Sequence, residues 1–78
     1  MKKVILLKNN IQKILDAQGK TQNSLALAMK VTSPKVTRWH IHKWIHGVIE
    51  PRPDMRAAIC DALESTHDEV FFLEEQEL

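Results

Sequence analysis

The sequence predicts an all-α domain, a small bundle of four to five short helices, and three observations carry that prediction. Apolar residues recur at helical spacing in four separate stretches. The chain breakers are few, two glycines and three prolines in 78 residues, and they fall at or near the ends of those stretches. Strand-period alternation is confined at most to Lys3–Leu7.

Each element has its own signal. Leu7, Ile11, Ile14 and Leu15 give a first helix that stops near Gly19. Lys2, Lys3 and Lys8 precede or open it, so residues 1–8 are expected to form a basic arm or an extension of that helix. Thr21 is a good N-cap for a second helix whose inward stripe is Leu25, Ala26 and Met29. Pro34 then disfavours helical geometry at Ser33. A further helix carries Ile41, Trp44, Ile45 and Val48, with Gly47 as a left-handed cap. Pro51 and Pro53 mark a loop and the next helix start, followed by a stripe of Met55, Ala58, Ile59, Ala62 and Leu63. Thr66 with Glu69 reads as a capping box opening a last short turn through Val70, Phe71 and Phe72. The domain proper spans residues 9–73, and residues 74–78 read as an acidic tail.

Composition narrows the class. With 44% hydrophobic and 27% charged residues the chain is globular, and its length allows one domain. A single cysteine, Cys60, cannot form an internal disulfide, which fits a reducing compartment. Apolar runs such as Val4–Leu7 are far too short for a signal segment or a membrane span, so a cytoplasmic protein with no membrane partner is expected. The formal net charge of +1 conceals a partition. All eleven Lys and Arg lie in residues 1–56 with only three acids, giving +8, whereas residues 57–78 hold seven acids and no base, giving −7. Such a split suits a basic surface for a polyanion and an acidic end that faces elsewhere. A solvated acidic tail with scattered lysines would look the same.

Two helices joined by a short connection, the second rich in basic and polar residues, are what major-groove reading of DNA requires. TQNSLALAMKV (Thr21–Val31) resembles the second helix of the phage-repressor, or Xre/Cro-type, helix-turn-helix family, whose usual run is T-Q-x-x-L-A-x-x-x-x-V. HGVIEP (His46–Pro51) looks like that family's recognition-helix end and following loop, and AAICDALESTHDEVFF (Ala57–Phe72) resembles its closing helices. The resemblance covers about residues 10–73 and implies a lambda-repressor-like helix-turn-helix domain.

The departure from the family falls between Met29 and Gly47, where the chain has five residues more than usual. An internal echo, KVTSP then KVTRW, coincides with the excess. In one register the recognition helix starts at Ser33 with Pro34 at its first position, and Ser33, Pro34 and Arg38 read bases. In the other, Val31–Lys35 extends the turn and Thr37 caps the helix. Val36 and Trp39 point about 150° away from the stripe of Ile41, Trp44, Ile45 and Val48, which favours the second register.

On that register the resemblance puts Arg38, Trp39 and Lys43 at the base-reading positions, with Thr37 and His40 near the sugar-phosphate. Arg38 stands in both registers, and its fork can bond guanine O6 and N7 together. Trp39 is unusual there, because indole offers one donor and no acceptor; it either packs on a thymine methyl or belongs to the core. Gln22 is expected on a phosphate at the second helix's N-terminus, with Lys35, Arg52 and Arg56 neutralising backbone charge. The implied partner is a double-stranded DNA operator, bound by a homodimer whose contacts come from Phe71–Leu78, from the Val4–Leu7 arm, or only on DNA.

Other chemistries have less support. His42 and His46 could share one ion, but His40 lies about 200° from His42 and no cysteine is near, so no metal site is expected and no cofactor is implied. A pH effect of these histidines on DNA affinity is the better expectation. Cys60 reads as core, and no phosphate loop, carboxylate pair or Ser/His/Asp arrangement argues for an enzyme. The rival class is an antitoxin or anti-repressor on the same fold, docking a protein through the acidic C-terminal segment with Phe71, Phe72, Leu73 and Leu78.

Overall fold

A computed structural model describes residues 2–77. In chain order the elements are β1 (Lys3–Asn9), α1 (Ile11–Ala17), α2 (Gln22–Met29), α3 (Arg38–Ile45), α4 (Pro53–Leu63), α5 (His67–Val70) and β2 (Phe71–Glu77). The expectation of an all-α domain is therefore corrected: 50% of the chain is helical and 18% is strand, a mixed α/β architecture. β1 and β2 form an antiparallel pair whose register runs from Lys3 opposite Glu77 to Asn9 opposite Phe71.

The physical reason is a pairing between the two ends of the sequence. Val4 and Ile5 are β-branched, Phe71 and Phe72 are aromatic, and both types suit a pleated surface. Lys3 Nζ reaches Glu75 Oε1 at 3.4 Å across the pair. Neither strand alternates cleanly, because a two-stranded ribbon has no fully buried face to impose a period. Leu7, expected in the first helical stripe, instead lies in β1, and Asn9 Oδ1 accepts from the Ile11 amide at 3.2 Å as strand gives way to helix. Phe71 and Phe72, expected in the last helical turn, open β2. The supposed arm and tail thus meet each other, while their outermost residues, 1 and 78, lie outside the described residues.

The helical body follows the stripes except at Val48, which lies beyond the end of α3 and is 65% exposed. Ile11, Leu15, Leu25, Met29, Ile41, Ile59, Leu63 and Val70 are all essentially inaccessible and form one core. Thr21 caps α2, its side chain accepting from the Ser24 amide at 3.1 Å. Gly47 closes α3 with φ +71°, a conformation that disfavours any residue with a Cβ. Pro53 occupies the first turn of α4. No helix among the described residues is long and apolar enough to cross a membrane.

Of the two registers for the third helix, the structure has the second. α3 begins at Arg38 behind an extended Thr37 (φ −123°, ψ 171°), and residues 31–36 form turns. The Ser33 amide donates to Met29 O at 2.7 Å and the Val36 amide to Ser33 O at 3.1 Å, folding the extra residues back on the body. Ser33 and Val36 are buried there.

The capping box of α5 carries a pH signature. The Thr66 amide and hydroxyl both donate to Glu69 Oε1, at 3.0 and 2.9 Å, and these bonds hold the Glu69 carboxyl below the usual carboxylate range. The folded value is depressed, so the stabilisation is present above the unfolded glutamate pKa and is lost as pH falls through the folded one. Glu69→Gln is expected to flatten the acid side of the stability curve, read as the urea midpoint from pH 7 down to pH 3. An unchanged profile would remove Glu69 from that role.

Candidate nucleic-acid interface

α3 presents one buried and one open side. Ile41 and Trp44 are buried in the core, whereas Arg38, Trp39, His42 and His46 are exposed. Trp39 is 54% exposed, so of the two roles left open for it the core is excluded and the second tryptophan, Trp44, takes that place. Lys43 is half-buried, and its Nζ lies over the Trp39 ring, 5.6 Å from the centroid. Arg38, Trp39 and Lys43, the three proposed readers, therefore share the outer face of α3.

Thr37 and His40 are joined at its start. The Thr37 amide donates to His40 Nδ1 at 3.1 Å, and the His40 amide donates to Thr37 O at 3.0 Å. An accepting Nδ1 leaves Nε2 as the ring's donor atom. The His40 ring also sits edge-on to Trp39 at 5.1 Å, so the first turn of α3 is held together by side chains as well as by backbone.

The structure divides the remaining predicted contacts into two groups. Arg38 and Gln22 come together on one concavity of about 500 Å³, whose other walls include Gln12, Lys20 and Asn23. Gln22 Nε2 donates to Gln12 Oε1 at 3.0 Å, and its Oε1 is buried without a partner. One of the two Nε2 hydrogens is thus committed within the protein, and one remains for an acceptor such as a phosphate oxygen. On the other flank of α3, Lys35, His40 and Arg52 border a cleft of about 650 Å³ floored by Val36, Trp44 and Met55. Lys35 and Arg52 are exposed at its edge.

Arg56 belongs to neither group. Its guanidinium donates to Pro51 O at 3.0 Å and lies 3.7 Å from Glu50 Oε1, so it braces the loop between α3 and α4. Lys20, Gln12 and Asn23 were not singled out from sequence. Asn23 follows Gln22 in the first turn of α2, a signal that was present. Gln12 is brought to the site only by the packing of α1, for which the sequence carries no local mark.

His42 and His46 stand with ring centroids 4.3 Å apart, and among the described residues no group of three His, Cys, Asp or Glu is close enough to hold a metal ion. Cys60 is buried, and desolvation first, then the neighbouring Asp61 charge, pushes its thiol up, away from the reactive thiolate. Compared with protein-family models, with curated proteins and with solved structures, the chain matches none.

Proposed function

We propose that this protein is a sequence-specific DNA-binding regulator of the helix-turn-helix type, a cytoplasmic, nucleoid-associated repressor of a phage or mobile element that occupies its operator as a homodimer. The observation that carries the reading is the pair of helices α2 and α3 with Arg38, Trp39 and Lys43 on the open face of the second. α3 enters the major groove by its N-terminal turn, and Arg38, one residue past the cap, is placed to bond a guanine edge bidentately. Gln22 and the exposed Lys20 at the start of α2 supply phosphate contacts on one flank, and Lys35 and Arg52 supply them on the other. The +8 of residues 1–56 supports a field that attracts the duplex, although Lys3 in β1 lies against the acids of β2, 3.4 Å from Glu75, and is partly offset there.

A salt titration tests this reading against a purely protein-binding role. Neutralising three phosphates through Lys20, Lys35 and Arg52 predicts that affinity for random duplex falls about 40-fold between about 50 and 200 mM salt. Fluorescence anisotropy with a labelled duplex measures it. A flat response, or no binding at the lower salt, overturns the proposal.

A further inference from the structure

The ribbon of β1 and β2 leaves much apolar surface in water. Ile5 is 69% exposed and Leu73 is 70% exposed, and Leu6 and Phe72 are also open to solvent. An isolated two-stranded ribbon is at best marginal in water, and an open strand edge is a template for a further strand. The two edges of this ribbon differ. β2 carries Glu74, Glu75 and Glu77, three carboxylates that repel a second copy of the same strand. β1 has four consecutive uncharged residues, Val4–Leu7, flanked by two cations, Lys3, which lies 3.4 Å from Glu75, and Lys8.

We propose that β1 pairs edge to edge with β1 of a second copy, giving a continuous antiparallel sheet of four strands in the order β2-β1-β1-β2. The backbone fixes the register. The Asn10 amide donates to Val70 O at 2.7 Å at the base of the ribbon, and alternation then turns the amides and carbonyls of Lys3, Ile5 and Leu7 towards the free edge. A two-fold axis passing beside Ile5 sets Ile5 opposite Ile5, Val4 opposite Leu6, and Lys3 opposite Leu7 of the two copies. The apolar residues meet at the centre, and the acidic strands lie at the two far edges, where they prevent further addition.

This surface gives the expected homodimer a definite form, and it rests on the DNA reading only for the use made of the dimer. Asn9 Nδ2 donates to Trp44 O at 2.9 Å, tying the base of β1 to the recognition helix. In the proposed register the two Asn9 residues stand eight strand steps apart, on the order of 26 Å. Half-sites one helical turn apart are centred about 34 Å from each other, a spacing of the same order.

Cross-linking of the full chain without DNA tests it. Paired Cα atoms about 5.5 Å apart across the two-fold are within disulfide reach, so Ile5→Cys should link to a second copy roughly tenfold faster than the equally exposed Leu73→Cys. Wild-type protein at tens of micromolar should sediment as a dimer, and both variants should keep their helical circular dichroism. Equal linking rates, or a wild type that sediments as a monomer throughout, overturn the proposal. A monomer that still binds duplex with steep salt dependence sinks the ribbon interface and leaves the DNA reading standing. A dimer that ignores duplex does the reverse.

Discussion

Arg38→Ala is expected to abolish operator discrimination while leaving the fold intact. The side chain is exposed at the first position of α3 and no hydrogen bond or ion pair holds it within the described residues, so its removal leaves the core untouched. What is lost is a bidentate contact to a base edge, which discriminates by about 1–3 kcal/mol, or roughly 5- to 150-fold between the right and the wrong base. Affinity for random duplex should fall far less, because one cation in a field of several contributes little to the phosphate term. In-vitro selection from a randomised duplex measures both quantities. A variant that recovers the same sequences as wild type would show that another residue reads the bases, Lys43 being the other cation on the helix.

Ile59→Ala is expected to cost the most stability. Ile59 has no accessible surface and sits in the core that unites the helices. Truncating a buried isoleucine removes transfer free energy and leaves a cavity, together about 2–5 kcal/mol. At about 0.05–0.15 kcal/mol per residue a domain of 78 residues has roughly 4–12 kcal/mol in total, so the variant should stand near its unfolding threshold. Urea denaturation followed by tryptophan fluorescence is well suited, since Trp44 is buried and Trp39 is not. A midpoint within error of wild type would mean that α4 does not support the body as its burial implies.

How much of this was legible in the sequence depends on the range of the interaction. Thr21, Gly47, Pro53 and the Thr66–Glu69 box act within a few residues of themselves, and each stands where its local chemistry places it. The start of α3 at Arg38 followed from the geometry of Val36 and Trp39 against the buried stripe, again a local argument. The ribbon was not legible, because Lys3 and Glu77 are paired by tertiary structure and the helical spacing of Leu7 with Ile11 masked the strand. The candidate site divides in the same way. Helix position alone puts Arg38 and Gln22 in one concavity, whereas Gln12 joins them only through the packing of α1, and Arg56 bonds Pro51 O and lies near Glu50 in a loop that no spacing reveals.

The pairing of β1 with β2 also sets an order of events during synthesis. β1 precedes its partner by the whole helical body, so Val4–Leu7 waits for β2 while every helix between them is translated. Local helical contacts form quickly and long loop closures slowly, so the helical body can assemble first. The ribbon closes only when residues 71–77 emerge, and until then the nascent chain carries Val4–Leu7 as an open apolar strand.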